Sequence, residues 1–234
     1  MSEKTKQPIN RILFNIDSNE DTNEIGVSHL GGVPDVDSSF VWPIHKGSER
    51  PYSFIGQFNF EQIKPFDKDN KLPYKGLLLV FLDKYSALAT KNGSAYLPKL
   101  IYIENTSSLK RYEGSCLDKQ LIKIKYSHLV FFNTLSYYWN SDDENLNNLN
   151  RILDFEACEE DCHDCYFLGY ESSVYGKQET HKPLIQLMQL ADFNNNGIRK
   201  FFFNTLDCSC HIFINENDLK NKDFSNIEFE AIIG

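Results

Sequence analysis

Short apolar runs broken by glycine and proline set the pattern of this chain. From His29 onward Gly31, Gly32, Pro34, Pro43, Gly47, Pro51 and Gly56 punctuate them, which predicts turns between short strands rather than long helices. The run Leu77-Leu-Leu-Val-Phe-Leu82 is apolar at every position. A strand with one solvated face would alternate, so this segment is expected to be covered on both faces. Elsewhere alternation holds. Residues 96–132 read as successive strands, and within them Ile122, Ile124 and Tyr126 alternate with Lys123 and Lys125. That suits a half-buried strand, with a sheet edge as one placement.

Residues 184–190 and 199–203 read as strands, residues 216–223 as a short helix around Leu219, and residues 227–233 as a closing strand in which Ile227 and Phe229 alternate with Glu228 and Glu230. Residues 1–25 are polar around one apolar strip, Ile12 to Phe14, and form a tail or a first strand. The most polar stretch, Asn140 to Asn150, is expected to be an internal linker.

The pattern repeats. Gln57 and Phe81 are 24 residues apart, and so are Gln189 and Phe213, a common offset of 132. In both places an apolar strand carries a glutamine near its end. At the same offset Asp83 falls on Asn215 and Gly76 on Cys208, and Leu30-Gly31-Gly32 has a looser counterpart in Leu168-Gly169-Tyr170. This predicts two related lobes about a pseudo-twofold axis, at about 26–139 and 151–234, with a cleft between them where a ligand would sit. Gln57 and Gln189 are candidates to line that cleft. The alternative is that each amide ties strand ends or turn backbones together, since a buried amide without partners costs roughly 1–3 kcal/mol.

Composition narrows the class. The 234 residues are 41% hydrophobic and 14% aromatic with a formal charge of −9, which fits a globular protein with a real core and excludes intrinsic disorder. The charge also argues against nucleic acid as a partner, because a phosphate backbone would be repelled. No apolar stretch follows Lys4 and Lys6, and none approaches the ~18 residues of a spanning helix, so a soluble cytoplasmic protein with no membrane contact is expected.

The segments Leu30-Gly-Gly-Val-Pro-Asp35, Trp42-Pro43, Phe54-Ile-Gly-Gln57-Phe-Asn-Phe60 and Gly76-Leu-Leu-Leu-Val-Phe-Leu-Asp83 resemble the bacterial YwqG-like family, a domain family of unassigned function. Weaker echoes follow in Phe167-Leu-Gly-Tyr170, Leu187-Met-Gln189 and Cys210-His-Ile-Phe213, with Asp218-Leu219 and Asp223-Phe224 after them. The resemblance covers roughly residues 26–230 and rests on turns and core strands, so it implies a fold and no chemistry. The implied fold is a single β-rich α+β domain over 26–234 with antiparallel or mixed sheets and an internal duplication. The chain departs from the family at Leu206 to Cys210, where a Trp-Gly-Asp-x-Gly stretch is usual. It departs again at Cys165, which takes the place of a His, and at Glu171, which takes the place of a Pro.

Candidate chemistry is sparse. Cys158, Cys162, Cys165, Cys208 and Cys210 cluster in the second half with His163 and His211 beside them. Two such groups brought together could hold a structural zinc, though the spacing is not a standard pair of Cys-x2-Cys knuckles, and buried thiols are the alternative. No phosphate loop, dinucleotide fingerprint, nucleophile elbow or His-Glu-x-x-His is present in the sequence. Asp142-Asp143 lies in the polar linker, and His29, His45, His128 and His181 are scattered. Trp42-Pro43 and the strip Tyr137-Tyr138-Trp139 are candidate binding aromatics. The leading expectation is a non-enzymatic binding protein of immunity or regulatory type that recognises a protein partner such as a toxin. A small-molecule or peptide binder using Gln57, Gln189 and Trp42, and a zinc-dependent enzyme built on the cysteines, are the alternatives.

Overall fold

The computed structural model describes residues 8–18, 24–45, 49–82, 98–114, 121–132, 165–168, 184–191, 193–195, 198–200 and 208–233. Its strands are β1 (Pro8–Ser18), β2 (His29–Gly31), β3 (Asp35–Val36), β4 (Ser53–Asn59), β5 (Leu77–Leu82), β6 (Lys99–Ile103), β7 (Lys110–Arg111), β8 (Leu121–Phe132), β9 (Tyr166–Phe167), β10 (Leu184–Ala191), β11 (Phe193–Asn195), β12 (Ile198–Lys200), β13 (Cys208–Asn215) and β14 (Ile227–Ile233). Among the described residues two short helices follow strands: α1 (Phe60–Ile63), which runs into a 3-10 turn at Lys64–Phe66, and α2 (Glu216–Lys220). Each is started by an asparagine, Asn59 or Asn215, whose side chain accepts an N–H of the first turn. The expected β-rich α+β class is what the chain adopts. The linker expected at 140–150 and the aromatic strip at 137–139 lie outside the described residues.

Ten strands form one sheet in the order β14-β13-β10-β9-β1-β8-β2-β4-β5-β6. Every pairing in it is antiparallel. Outward from the centre one half runs β1-β9-β10-β13-β14 and the other β8-β2-β4-β5-β6. β1 thus lies among the later strands, beside β9, and β8 lies among the earlier ones, beside β2. The placement of residues 122–126 near a sheet edge is thereby corrected. β8 sits in the middle of the sheet, paired with β1 from Pro8↔Phe132 to Ser18↔Lys123 and with β2 at His29↔Lys123. Alternation reports how many faces are apolar, not how many neighbours a strand has.

The register repeats as well. β4 bulges against β5 between Phe54 and Gly56, and β10 bulges against β13 between Gln186 and Met188. The flanking pairs are Phe54↔Phe81, Gly56↔Val80 and Gln57↔Leu79 in one half, and Gln186↔Phe213, Met188↔Ile212 and Gln189↔His211 in the other. One strand further in, His29 faces Gln57 and Tyr166 faces Gln189. In register Leu30 thus corresponds to Phe167, one residue before the Leu168 that the sequence aligns with it.

Alternation sorts side chains onto two faces. One face buries a single apolar core that runs through both halves, from Ile12, Phe14, Leu30, Phe58, Leu78 and Val80 to Phe167, Met188, Leu190, Ile212 and Ile214. The sheet curls around it. Phe224, just before β14, packs 5.3 Å from Tyr102 on the opposite end strand β6, and Lys222 pairs with Glu104. The opposite face of the first half carries a second cluster of Val36, Phe54, Leu77, Leu79, Phe81, Ile103 and Leu109, flanked by Phe40, Trp42, Tyr52 and Tyr112. β5 belongs to both clusters, which is why its sequence is apolar without interruption.

Two backbone features fix β2 against β4. Gly31 and Gly32 have φ of 66° and 67°, a left-handed pair that side chains with a Cβ adopt at a cost. Gly56 faces the β2 backbone so closely that a Cβ there would lie 2.7 Å from the His29 carbonyl oxygen. Gly56→Ala is expected to push β2 off β4 and lower the urea unfolding free energy by about 1–3 kcal/mol, with the denaturant slope unchanged. A loss below about 0.5 kcal/mol would show that β2 gives way freely.

Candidate functional site

The two halves bury different chemistry on their outer faces. In the first half Gln57 is fully buried and its amide acts as a clamp. Nε2 donates to the Val27 carbonyl at 2.8 Å and to Asp35 Oδ2 at 2.7 Å, while Oε1 accepts the Asp35 N–H at 2.7 Å. Asp35, also fully buried, accepts the Gly26 N–H at 2.7 Å and pairs with Arg111 Nε at 2.5 Å. The carboxylate thus has a cation and N–H donors in place of water, as a buried charge requires. His29 lies across from Gln57 on β2. Its Nδ1 is 3.0 Å from the Gly31 carbonyl, which makes Nδ1 the protonated nitrogen, and its buried Nε2 has no hydrogen-bond partner. Burial holds its pKa down at about 4, against the pull of the Asp35 carboxylate and with the help of the Arg111 cation.

At the register-equivalent place in the second half the face is polar. Arg11 of β1, Tyr166 of β9, Gln186 and Gln189 of β10 and His211 of β13 are all buried on four adjacent strands. The Tyr166 hydroxyl donates to Gln189 Oε1 at 2.7 Å, Gln186 Nε2 donates to the Tyr166 oxygen at 3.0 Å, and the same Nε2 lies 3.3 Å from His211 Nδ1. The Arg11 guanidinium stacks 4.5 Å above the Tyr166 ring. Burial, with the Arg11 charge added, lowers the His211 pKa to about 4, so the imidazole is neutral and Nδ1 can accept from the amide. Gln186 Oε1 is buried with no hydrogen-bond partner. Gln186 and His211 take the register positions of Phe54 and Leu79. Polar side chains stand where the other half has core.

The structure does not bring Gln57 and Gln189 together. Four strands lie between β4 and β10, so they are separated by roughly 24 Å of sheet at about 4.8 Å per strand. Each amide faces outward from the curl and is engaged within its own half. Trp42 is half-buried, donates its indole N–H to the Tyr52 carbonyl at 2.8 Å and packs 5.4 Å from Phe81 and 5.0 Å from Tyr112. It holds up a loop on which Val41 and Ile44 are 78% and 58% exposed.

Of the candidate zinc ligands, Cys158 and Cys162 lie outside the described residues, and Cys208 is placed on β13 by its backbone alone. Cys165 and Cys210 are buried in the shared apolar core. Among the described residues no group of three or more His, Cys, Asp or Glu is arranged to hold a metal ion, and no helix is long and apolar enough to cross a membrane.

The sequence singled out Gln57, Gln189 and Trp42 as binding candidates and His211 beside the cysteines, but not Arg11, Asp35, Arg111, Tyr166 or Gln186. A signal existed for the polar pair Gln186 and His211. At the offset of 132, Phe54 and Leu79 become Gln186 and His211, a polar replacement inside strands that must be buried. A comparison with curated proteins finds no match. A family profile described as a domain of unknown function, DUF1963, matches residues 28–231, and on that match the chain belongs to the DUF1963 family.

Proposed function

We propose that this chain is a non-enzymatic binding protein of immunity or regulatory type, that its partner is another protein, and that it works in the cytoplasm. The observation that supports the reading is the exposed aliphatic pair Val41 and Ile44 on a loop stiffened from below by Trp42, Phe40 and Tyr112. Exposed apolar groups on a rigid support lose little entropy on docking, which is what an interface anchor needs. A net charge of −9 would steer the protein toward a basic partner such as a cationic toxin. Capture from the native cells at low salt is the test. One stoichiometric partner is expected on the wild type, and a loss of at least about tenfold in its affinity is expected for the double variant Val41→Asp, Ile44→Asp. Both residues are exposed, so the variant should melt near the wild-type temperature. Undiminished capture by the variant would remove the loop from the interface, and absence of any partner would end the reading.

A small-molecule or peptide binder is the second reading, favoured by the buried, unpartnered Gln186 Oε1 within the Arg11–Tyr166–His211 cluster. A ligand class that raises the melting temperature of the wild type but not of Gln186→Leu would support it.

We further propose that the chain is a YwqG-like member of its family and an internal duplication. The shared offset of both bulges and the symmetric strand order support the duplication. The exchange of β1 and β8 then descends from two copies that swapped first strands.

A further inference from the structure

We propose that His29 is an acid-sensitive latch: proton uptake at its unpartnered Nε2 releases the β3–β7 cover and exposes the apolar outer face of β4 and β5. The cover is a two-stranded ribbon in which Asp35↔Arg111 and Val36↔Lys110 pair and the Tyr112 N–H reaches the Pro34 carbonyl at 2.9 Å. It is held to the sheet by the Gln57 amide, the Gly26 N–H and the buried Asp35 carboxylate. His29, the cross-strand neighbour of the clamping Gln57, is fully buried with its ring 6.0 Å from Phe54. The charged groups on it from the cover are Asp35, which attracts a proton, and Arg111, which repels one. β4 presents the uncharged Gln57, and β8 places Lys123 as the cross-strand neighbour of His29 in register.

An imidazolium in this position keeps the Nδ1–H bond to Gly31 but points a second N–H at no acceptor and carries a charge with no water around it. Burial outweighs the attraction of Asp35, so the closed state resists the proton. When the cover opens, the imidazole regains water and an ordinary pKa near 6.5. The open state therefore binds the proton more tightly than the closed one. Acid favours opening as the pH falls below 6.5, approaches its full effect below about pH 4, and has little effect above 6.5. The difference between 6.5 and about 4 corresponds to about a 300-fold shift in the opening equilibrium.

Native-state hydrogen exchange on the full chain tests this, with rates corrected for intrinsic chemistry. Between pH 7 and pH 4 the amides of Gly26, Asp35 and Tyr112 are expected to lose up to about 100-fold in protection relative to the amides of β5. In His29→Gln that relative loss should shrink to a few-fold at most, while His211→Gln should leave it intact. Parallel loss in the cover and in β5 would show that acid acts through global unfolding alone and would overturn the latch. A differential loss that persists in His29→Gln would overturn it too, because another group would then be responsible. If His29→Gln does not fold, an NMR titration of the wild-type His29 ring takes its place. Its midpoint must coincide with the differential loss, and a displaced midpoint would overturn the proposal.

Discussion

A chain that begins at residue 28, where the family match begins, is expected not to fold. It lacks β1, and β1 is the middle of the sheet. Residues 8–18 pair along β8 and touch β9 at Ile12↔Phe167 and Leu13↔Tyr166. Ile12 and Phe14 are buried, and the Phe14 ring packs 5.1 Å from Phe58 in one half and 5.6 Å from Phe167 in the other. Burying those two side chains contributes roughly 3–6 kcal/mol, and the lost ladder hydrogen bonds add to that, against a total stability of about 5–15 kcal/mol for a domain. Deletion also creates two raw strand edges, on β8 and β9, inside an apolar core, which invites aggregation. Residues 28–234 alone should be insoluble or show no cooperative melting transition. A synthetic peptide of residues 1–20 added during refolding should restore part of the transition. Cooperative unfolding of the truncated chain near the wild-type midpoint would show that β1 is not needed at the centre.

That central role was not legible in the sequence. A polar stretch with one apolar strip, Ile12 to Phe14, is as compatible with a tail as with a core strand, and Arg11 beside it reads as a solvated charge. Its burial is intelligible only once Tyr166 lies beneath its guanidinium, and that contact joins residues far apart in sequence. Local features were legible because local patterns cause them. The uninterrupted apolar run of β5 reports two covered faces, and the offset of 132 returns as two strand pairs in corresponding register. Strand order depends on which edges meet after the chain has turned, and hydrophobic period carries no information about that. The site was half legible for the same reason. A glutamine in an apolar strand marks a buried amide, but whether it faces a ligand or a backbone is decided by Val27 and Asp35, which only the fold brings to it.

Gln57→Leu is expected to be the most damaging single substitution among the residues that the sequence singled out. The change conserves size and removes every polar contact of the amide. Three groups lose their partner or part of it: the Val27 carbonyl, the Asp35 N–H and Asp35 Oδ2. Each buried group left unsatisfied costs about 1–3 kcal/mol, so the total falls near 3–6 kcal/mol. The Asp35 carboxylate would keep Arg111 and the Gly26 N–H, which keeps the loss below that of an abandoned buried charge. Urea unfolding should show the loss directly. Hydrogen exchange should place it first in the Gly26, Asp35 and Tyr112 amides, because the clamp holds the cover rather than the shared core. Leucine adds apolar surface next to Phe54 and Leu79, so a well-packed variant could recover part of the transfer energy, though not the stranded backbone groups. A loss below about 1 kcal/mol would mean that the cover is held by its apolar contacts and that the amide merely fills the space. A loss in the expected range, with the core amides still protected, would establish Gln57 as the peg that fastens the cover to the sheet.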